Sequence, residues 1–464
     1  MLTILDSNPR LGRRDFLRIG SLALGGLSLP GLLSARAAAA TNSRPVTDKS
    51  VIFLFLHGGP SQIETFDPKM EAPAEVRSAT GEVATSIPGI TFGGTFPKLA
   101  GLAHKMSIVR SYRTGDGNHD IKPIVDRRTL GANLGSLYSR VAGTNHPVTG
   151  MPTNTALFPR AVEPKSLPPV DAFGKFWSTG SLGSAYAPFV PGGGGDLQKD
   201  MELSLRREQL DDRRSLLTGL DLLRREIDSR GLLEGVDRFK EQAFQTILGG
   251  VAQAFDLSKE DPRVVARYDT APLVRPDQIS RKWNNYNNYV DNAKTLGKLL
   301  LLARRLCEAG CGFVTVTTNF VWDMHADVNN ASVEEGMQYM GTPLDHALSA
   351  FMEDTEARGL SDKILLVASG EMGRTPRINN NGGRDHWGGL APLALVGGGL
   401  KMGQVIGQST RDAGEPLSEP IGIENLMATI FDTLLRVSDV RLLPNLPNDV
   451  SRILTGSTPI PGLS

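Results

Sequence analysis

Five apolar runs punctuate the chain: VIFLFL at 51–56, MSIVRSY at 106–112, GFVTVTT at 312–318, ILLVAS at 364–369 and PLALVGGG at 392–399. Each is continuous rather than alternating, which predicts strands covered on both faces. The first four stop abruptly in polar loops: HGGPSQIETFDP, RTGDGNHD, NFVWDMHAD and GEMGRTPRINNNGGRDHW. Between the runs the apolar period changes to that of a helix. Leu344, Leu348 and Phe351 line one helix ending near Arg358–Gly359, and LGKLLLLARRLCEAG forms another that leads into GFVTVTT. Leu216, Leu220, Leu223 and Ile227 mark a third apolar face, and Ile423, Leu426, Ile430 and Leu434 a fourth. Strands alternating with helices predict an α/β fold with a largely parallel, doubly wound sheet, helices on both faces and right-handed crossovers. Ligands of such sheets bind beyond the carboxyl ends of the strands, where these polar loops lie.

Two stretches break the alternation. Residues 133–195 are rich in Pro and Gly and end in PGGGG, predicting long irregular loops. Residues 196–295 read as a helical insertion whose charged run LRREQLDDRRSLLTGLDLLRREID forms a solvated helix face. Within it, RKWNNYNNYVDN reads as a polar turn ahead of the next helix. No internal repeat is evident.

Composition narrows the function classes. The 464 residues carry 50 Lys and Arg against 50 Asp and Glu, so no overall basic field favours nucleic acid or anionic lipid. The amino-terminal GRRDFLRIG, with Arg13 and Arg14, precedes a mildly apolar stretch and then SARAAAAT. This is the layout of a twin-arginine export signal. Cleavage between Ala37 and Ala40 would leave a mature periplasmic or extracellular chain, so residues 1–40 are set apart from a domain spanning 46–464. Gly20, Gly25, Gly26, Pro30 and Gly31 interrupt the leader, and no later segment supplies the ~20 apolar residues of a permanent membrane span. Cys307 and Cys311, the only cysteines, read as small buried residues between a helix and a strand.

The chemistry-bearing residues concentrate in the strand-end loops. His57, His119, His325 and His386 fall in them, whereas His104, His146 and His346 do not. Imidazoles beside carboxylates suit Zn or Mn, and carboxylates alone suit Mg or Ca. The metal-ligand candidates are His57, Asp120, Asp323, His325, Glu371, Asp385 and His386. They would hold one or two divalent ions, a pair of which could clamp the oxygens of an ester. Asn118-His119-Asp120 reads either as part of this site or as a loop cap. Arg374 and Arg384 read either as grips on a phosphate, sulfate or carboxylate, or as structural partners of carboxylates. Thr114, Ser61 and Thr65 are potential nucleophiles if a base or metal lies close. No Walker A signature, no GxGxxG opening a helix and no GxSxG elbow is present, so neither a nucleotide cofactor nor a serine hydrolase is implied.

The leader, GGPSQIETFDPK, LLLARRLCEAGCGFVTV, WDMH, the stretch from LDHALSAFMEDTEARGLSDKILLVAS to GRDHW, and GGGLKMGQVIG together resemble the domain of unknown function 1501 family. The resemblance implies an alkaline phosphatase-like, sulfatase-like fold and a metal-hydrolase ancestry. In that superfamily the first strand ends in a metal-binding Asp, where this chain has His57. Asp323 with His325 or Asp327 approximates a later ligand pair at a different spacing. Glu371-Met372 replaces an Asp-His pair, His386 matches the final His, and the nucleophile position falls in RTGDGNHD, where Thr114 is the only hydroxyl. Neither cysteine lies in the C/S-x-P-x-R sequence of a formylglycine sulfatase. Two functions follow: an exported, metal-dependent hydrolase of small-molecule or polysaccharide phosphate or sulfate esters, or a non-catalytic exported binding or scaffold protein that keeps a degraded site.

Overall fold

A computed structural model describes residues 45–192 and 251–463. The leader, the Leu216–Ile227 helix face and residues 196–250 of the expected helical insertion lie outside the described residues.

Eleven strands are described: β1 (Ser50–Phe55), β2 (Glu82–Ala84), β3 (Thr91–Gly93), β4 (Met106–Val109), β5 (Asn154–Leu157), β6 (Phe313–Thr317), β7 (Ile364–Ser369), β8 (Gly373–Arg374), β9 (His386–Trp387), β10 (Leu393–Gly397) and β11 (Gln404–Ile406). The helices used below are α1 (Gln62–Thr65), α2 (Pro97–Gly101), α3 (Leu134–Ala142), α4 (Ala252–Phe255), α5 (Pro262–Tyr268), α6 (Tyr286–Glu308), α7 (Val333–Ala357) and α8 (Ile423–Leu434). Seven strands form the central sheet in the order β11-β4-β10-β7-β1-β6-β5. All pairings are parallel except the two made by β10. The protein is therefore an α/β fold with a mostly parallel sheet. The chain between β7 and β10 contains only the two-stranded β8–β9 ribbon and no crossover helix, so β10 returns antiparallel to its neighbour.

The continuous apolar runs are buried on both sides, as their pattern requires. Ile52 and Leu54 of β1 pack in one core with Val314, Val316, Leu366 and the α6 and α7 residues Leu299, Leu300, Leu344 and Leu348. Val51, Phe53 and Phe55 face the opposite core with Leu134 and Leu137 of α3 and Leu426, Ile430 and Leu434 of α8. Helix α7 starts at Ser332, whose hydroxyl accepts from the Glu335 amide at 3.2 Å. It ends before Gly359, whose φ of +67° supplies the left-handed turn ahead of β7.

Three readings are refined. Residues 133–195 hold α3 and the sheet-edge strand β5 among their turns. The β5 run NTAL escaped notice because it is short and half polar. The Asn-rich stretch enters α6 at Tyr286, so only its first half is a turn. Cys307 and Cys311 are buried free thiols, and burial raises the pKa of both.

One buried cation joins the helical layer together. Arg304 of α6, 1% exposed, meets Glu260 at 2.7 Å, Asp354 of α7 at 3.0 Å and Glu308 of its own helix. Glu260, between α4 and α5, also takes Arg305 and Arg358. Removing the central cation leaves Glu260, Asp354 and Glu308 to the more exposed Arg305 and Arg358. Arg304→Met is expected to cost about 3–5 kcal/mol in equilibrium chemical denaturation; a loss below about 1 kcal/mol would show that the network does not depend on it.

Candidate metal centre

The register of the sheet brings the loops together: Phe55 pairs with Thr317 on one side and Ser369 on the other, so β1, β6 and β7 end at one level. Immediately after β1 the chain passes close beneath the β6 loop. The His57 carbonyl accepts from the amides of Val321 (3.2 Å) and Trp322 (3.1 Å). Gly58, at φ +116°, lies so near that a Cβ there would sit 2.6 Å from the Asp323 nitrogen. Ser61 then caps α1, its hydroxyl accepting from the Ile63 and Glu64 amides at 3.2 and 3.3 Å.

The long loop after β7 is fastened at two arginines. Arg374 is buried, and its guanidinium donates to the carbonyls of Gly58, Gly59 (2.7 Å) and Arg384 (3.1 Å) and to the Asp323 carboxylate. Arg384 forms a fully buried pair with Glu64 of α1, at 3.0 Å through Nε and 2.8 Å through Nη2. Its other donors meet the carbonyls of Pro376, Val76 and Arg77. The β8–β9 ribbon pairs Arg374 with His386 and so brings that histidine beside Asp323.

Three imidazoles converge on Asp323 Oδ1: His325 Nε2 at 3.0 Å, His119 Nε2 at 3.3 Å and His386 Nε2 at 3.4 Å. One ligand atom from each of these four residues lies within 4.8 Å of every other. The outer ring nitrogens are held by further carboxylates. His119 Nδ1 lies 2.9 Å from Glu371 Oε1, and His325 Nδ1 lies 3.1 Å from Asp385 Oδ1. Glu371 is fully buried and accepts the Gly58 amide at 3.0 Å; Asp385 is exposed and accepts from Asn379 at 3.2 Å. Asn330 donates to the other Asp323 oxygen at 3.1 Å and is itself held by Asn285 at 2.6 Å.

This arrangement suits a cation. A carboxylate can only accept, so Glu371 and Asp385 fix the proton on Nδ1 of their histidines. In the neutral rings Nε2 then carries a lone pair aimed at a carboxylate oxygen. His119 Nε2 is buried with no hydrogen-bond partner among the described residues, and His325 Nε2 lies only 2.8 Å from His386 Nε2. Arg374 Nη1, 3.2 Å from His325 Nε2, already brings one positive charge to the centre; a proton or metal ion between the rings would further relieve the His325–His386 contact and give His119 Nε2 a partner. The electrostatics agree. Burial lowers the pKa of His119, but Asp323 and Glu371 outweigh it and the net shift is upward. The Asp323 hydrogen bond raises His325 against the cost of burial. Burial penalises the Asp323 charge, yet three imidazoles and Arg374 hold its carboxyl far below the usual range.

Of the residues expected to bind metal, Asp323, His325 and His386 come together, and Glu371 and Asp385 stand directly behind the ring. His57 does not join them. It is buried in edge-to-face contact with Phe173, Phe176 and Phe320, and burial pushes its pKa down to about 4. Asp120 is exposed and turned to Lys122 at 2.8 Å, away from the cluster. Thr114 is buried with an unpartnered hydroxyl and is not among the converging groups. Neither arginine is an anion grip in this geometry, because their donors are taken by carbonyls and carboxylates. The residue that takes Asp120's expected place is its neighbour His119, which the spacing left between ligand and loop cap. Asn330 was missed because an uncharged side chain in an Asn-rich loop gives no separate signal.

His119 is presented by a buried lysine. Lys122, 1% exposed, donates to Asp116 (2.9 Å), the Asn118 carbonyl (3.1 Å) and Asp120 (2.8 Å), closing the loop around His119.

The fold and site thus define a mostly parallel α/β protein with a His3Asp cluster at its strand ends. Residues 48–452 match the family model described as protein of unknown function (DUF1501), and the chain belongs to that family. No curated protein matches it. Among solved structures it is similar to the PsFucS1 sulfatase from Pseudoalteromonas sp., at 10% identity and TM-score 0.37 over 93% of this chain and 77% of that one. It is also similar to the phosphonate monoester hydrolase SpPMH from Silicibacter pomeroyi, at 14% identity and TM-score 0.33 over 89% and 77%. The lipoteichoic acid synthase LtaP from Listeria monocytogenes gives 8% identity and TM-score 0.31 over 91% and 82%. Likeness at this level transfers neither substrate nor catalytic residues.

If the cluster holds Zn, Lys122→Met is expected to weaken its binding about 10- to 100-fold, the usual effect of losing an outer support of a ligand. Competition against a chromogenic chelator measures it, and an unchanged affinity would show that His119 needs no such support.

Proposed function

We propose that the chain is an exported, metal-dependent hydrolase of phosphate or sulfate esters, with His119, Asp323, His325 and His386 as the ligands of its ion. The observation that carries this reading is the convergence of three Nε2 atoms on one Asp323 oxygen, with Glu371 and Asp385 behind two of the rings. Three nitrogen donors and one oxygen suit Zn or another imidazole-loving transition ion better than Mg or Ca. When bound, such an ion supplies Lewis-acid polarisation of an ester oxygen. The chain's own part is to hold the imidazoles in the correct tautomer, to keep Asp323 ionised through Arg374 and Asn330, and to leave the His386 side solvent-accessible, its side chain being 34% exposed. One ion is the number this cluster supports. Export rests on Arg13 and Arg14 and the Ala-rich end of the leader. No helix among the described residues is long and apolar enough to cross a membrane.

A second reading, a non-catalytic exported binding or scaffold protein that keeps a degraded site, is favoured by one specific observation. The donors of Arg374 and Arg384 are directed to protein acceptors, so the two arginines nearest the cluster are not free to hold an ester anion.

Metal analysis of the mature chain purified without chelators separates the readings. Stoichiometric metal is expected in the wild type and its loss in a folded Asp323→Ala, His386→Ala variant, with hydrolysis of phosphate or sulfate esters only by the loaded wild type. Bound metal without turnover in either ester class selects the binding protein. Absence of binding by the folded wild type after adding Zn, Mn, Mg or Ca overturns the hydrolase and selects the binding or scaffold protein.

The pH dependence has a definite sign. His119 and His325 must be neutral to ligate, and their pKa values lie above the ordinary 6.5. Metal affinity is expected to rise as pH climbs through the region above 6.5 and to fall as protons displace the ion below it. Equilibrium dialysis against Zn at pH 8 and pH 6 checks this, and equal affinity would remove these histidines from the ligand set.

A further inference from the structure

One wall of the site is aromatic and partly open. Phe173 is 36% exposed, in a fold that buries most of its large apolar side chains. Its ring stacks on Phe320 with centroids 4.8 Å apart and an interplanar angle of 29°. Both rings touch His119, at 5.2 Å from Phe173 and 4.7 Å from Phe320, and His119 in turn lies 4.1 Å from His386. A chain of ring contacts therefore leads from the part-exposed Phe173 through the less exposed His119 to His386, the most exposed histidine of the cluster. It is a built feature. Phe176, three residues on, anchors the same loop against Phe55 and Phe158 in the core. Between them Gly174, at φ +137°, lets the loop close on Ile121, two residues beyond His119; a Cβ there would sit 2.9 Å from the Ile121 side chain.

We propose that Phe173 and Phe320 form a platform for a flat apolar ring face on the substrate, either an aryl group or the C–H face of a pyranose, placed beside the ester group at the cluster. This rests on the hydrolase reading and adds the class of group that its substrate carries. Aromatic side chains receive such faces by offset stacking, and the part-exposed Phe173 is the ring a ligand would cover.

Calorimetric binding to the mature, metal-analysed chain tests it, with phenylphosphonate for the aryl arm, glucose 6-phosphate for the sugar arm and methylphosphonate as the ringless reference. Wild type should bind at least one ring-bearing ligand about 3- to 10-fold more tightly than methylphosphonate, and the arm that does so identifies the ring. Phe173→Ala should abolish that preference while leaving methylphosphonate affinity and metal content unchanged, and Phe173→Trp should keep it. Equal binding of all three ligands by wild type, or a preference that survives Phe173→Ala, overturns the platform alone. Failure of wild type to bind any of them, or phenyl sulfate or methyl sulfate in the same assay, overturns the platform and the hydrolase reading together.

Discussion

The Asp323 carboxylate is the constraint around which the site is organised. A carboxylate with so little exposure is costly unless its charge is compensated and its lone pairs are used. Here the Arg374 guanidinium, the Asn330 amide and three imidazoles share that task. These partners come from three loops, His119 after β4, His325 and Asn330 after β6, and Arg374 and His386 after β7, so satisfying one carboxylate also fixes the relative positions of those loops. The site's precision follows from the same burial penalty that would destabilise the fold if any of these partners were missing.

The supporting contacts extend outward from that point. Arg374 reaches Asp323 only because Gly58 and Gly59 offer their carbonyls to the same guanidinium, and because Gln62 pairs with its backbone at 2.8 and 3.0 Å. The Glu64–Arg384 pair then locks α1 to the far end of the β7 loop, one residue before Asp385 and two before His386. Lys122 does the equivalent for the His119 loop. In each case a buried cation collects carbonyls and carboxylates of an irregular segment, giving loops without regular secondary structure the rigidity that a ligand set needs.

The same logic explains what could be read from the amino-acid sequence. The sheet was legible because strands buried on both faces leave continuous apolar runs, and β1, β6, β7 and β10 all announce themselves in this way. β5 and β11 do not: NTAL and QVI are short, and at the sheet edges they gain burial from neighbours rather than from their own composition. The site was legible as a set of loops and only partly as a set of residues. Asp323, His325 and His386 follow from their positions after strands. The choice between His119 and Asp120 depends on which side chain the Lys122 contacts turn outward, and residue type alone does not encode that. The arginines illustrate the converse. Their chemistry suits an anion, yet long-range pairing with Glu64 and with the carbonyls after β1 uses it within the protein.

That internal use of arginine bears on what the centre can do. A hydrolase of charged esters must offset the charge of its substrate, and under the proposed reading that compensation would come from the cluster itself: a divalent ion at three imidazoles and one carboxylate would carry net positive charge, whereas two carboxylates would cancel it. Glu371 and Asp385 preserve this balance by standing one ring behind, where they orient histidines without occupying coordination positions. With His57 buried and neutral among phenylalanines rather than replaced by another carboxylate, the β1 end adds no further negative charge at the centre.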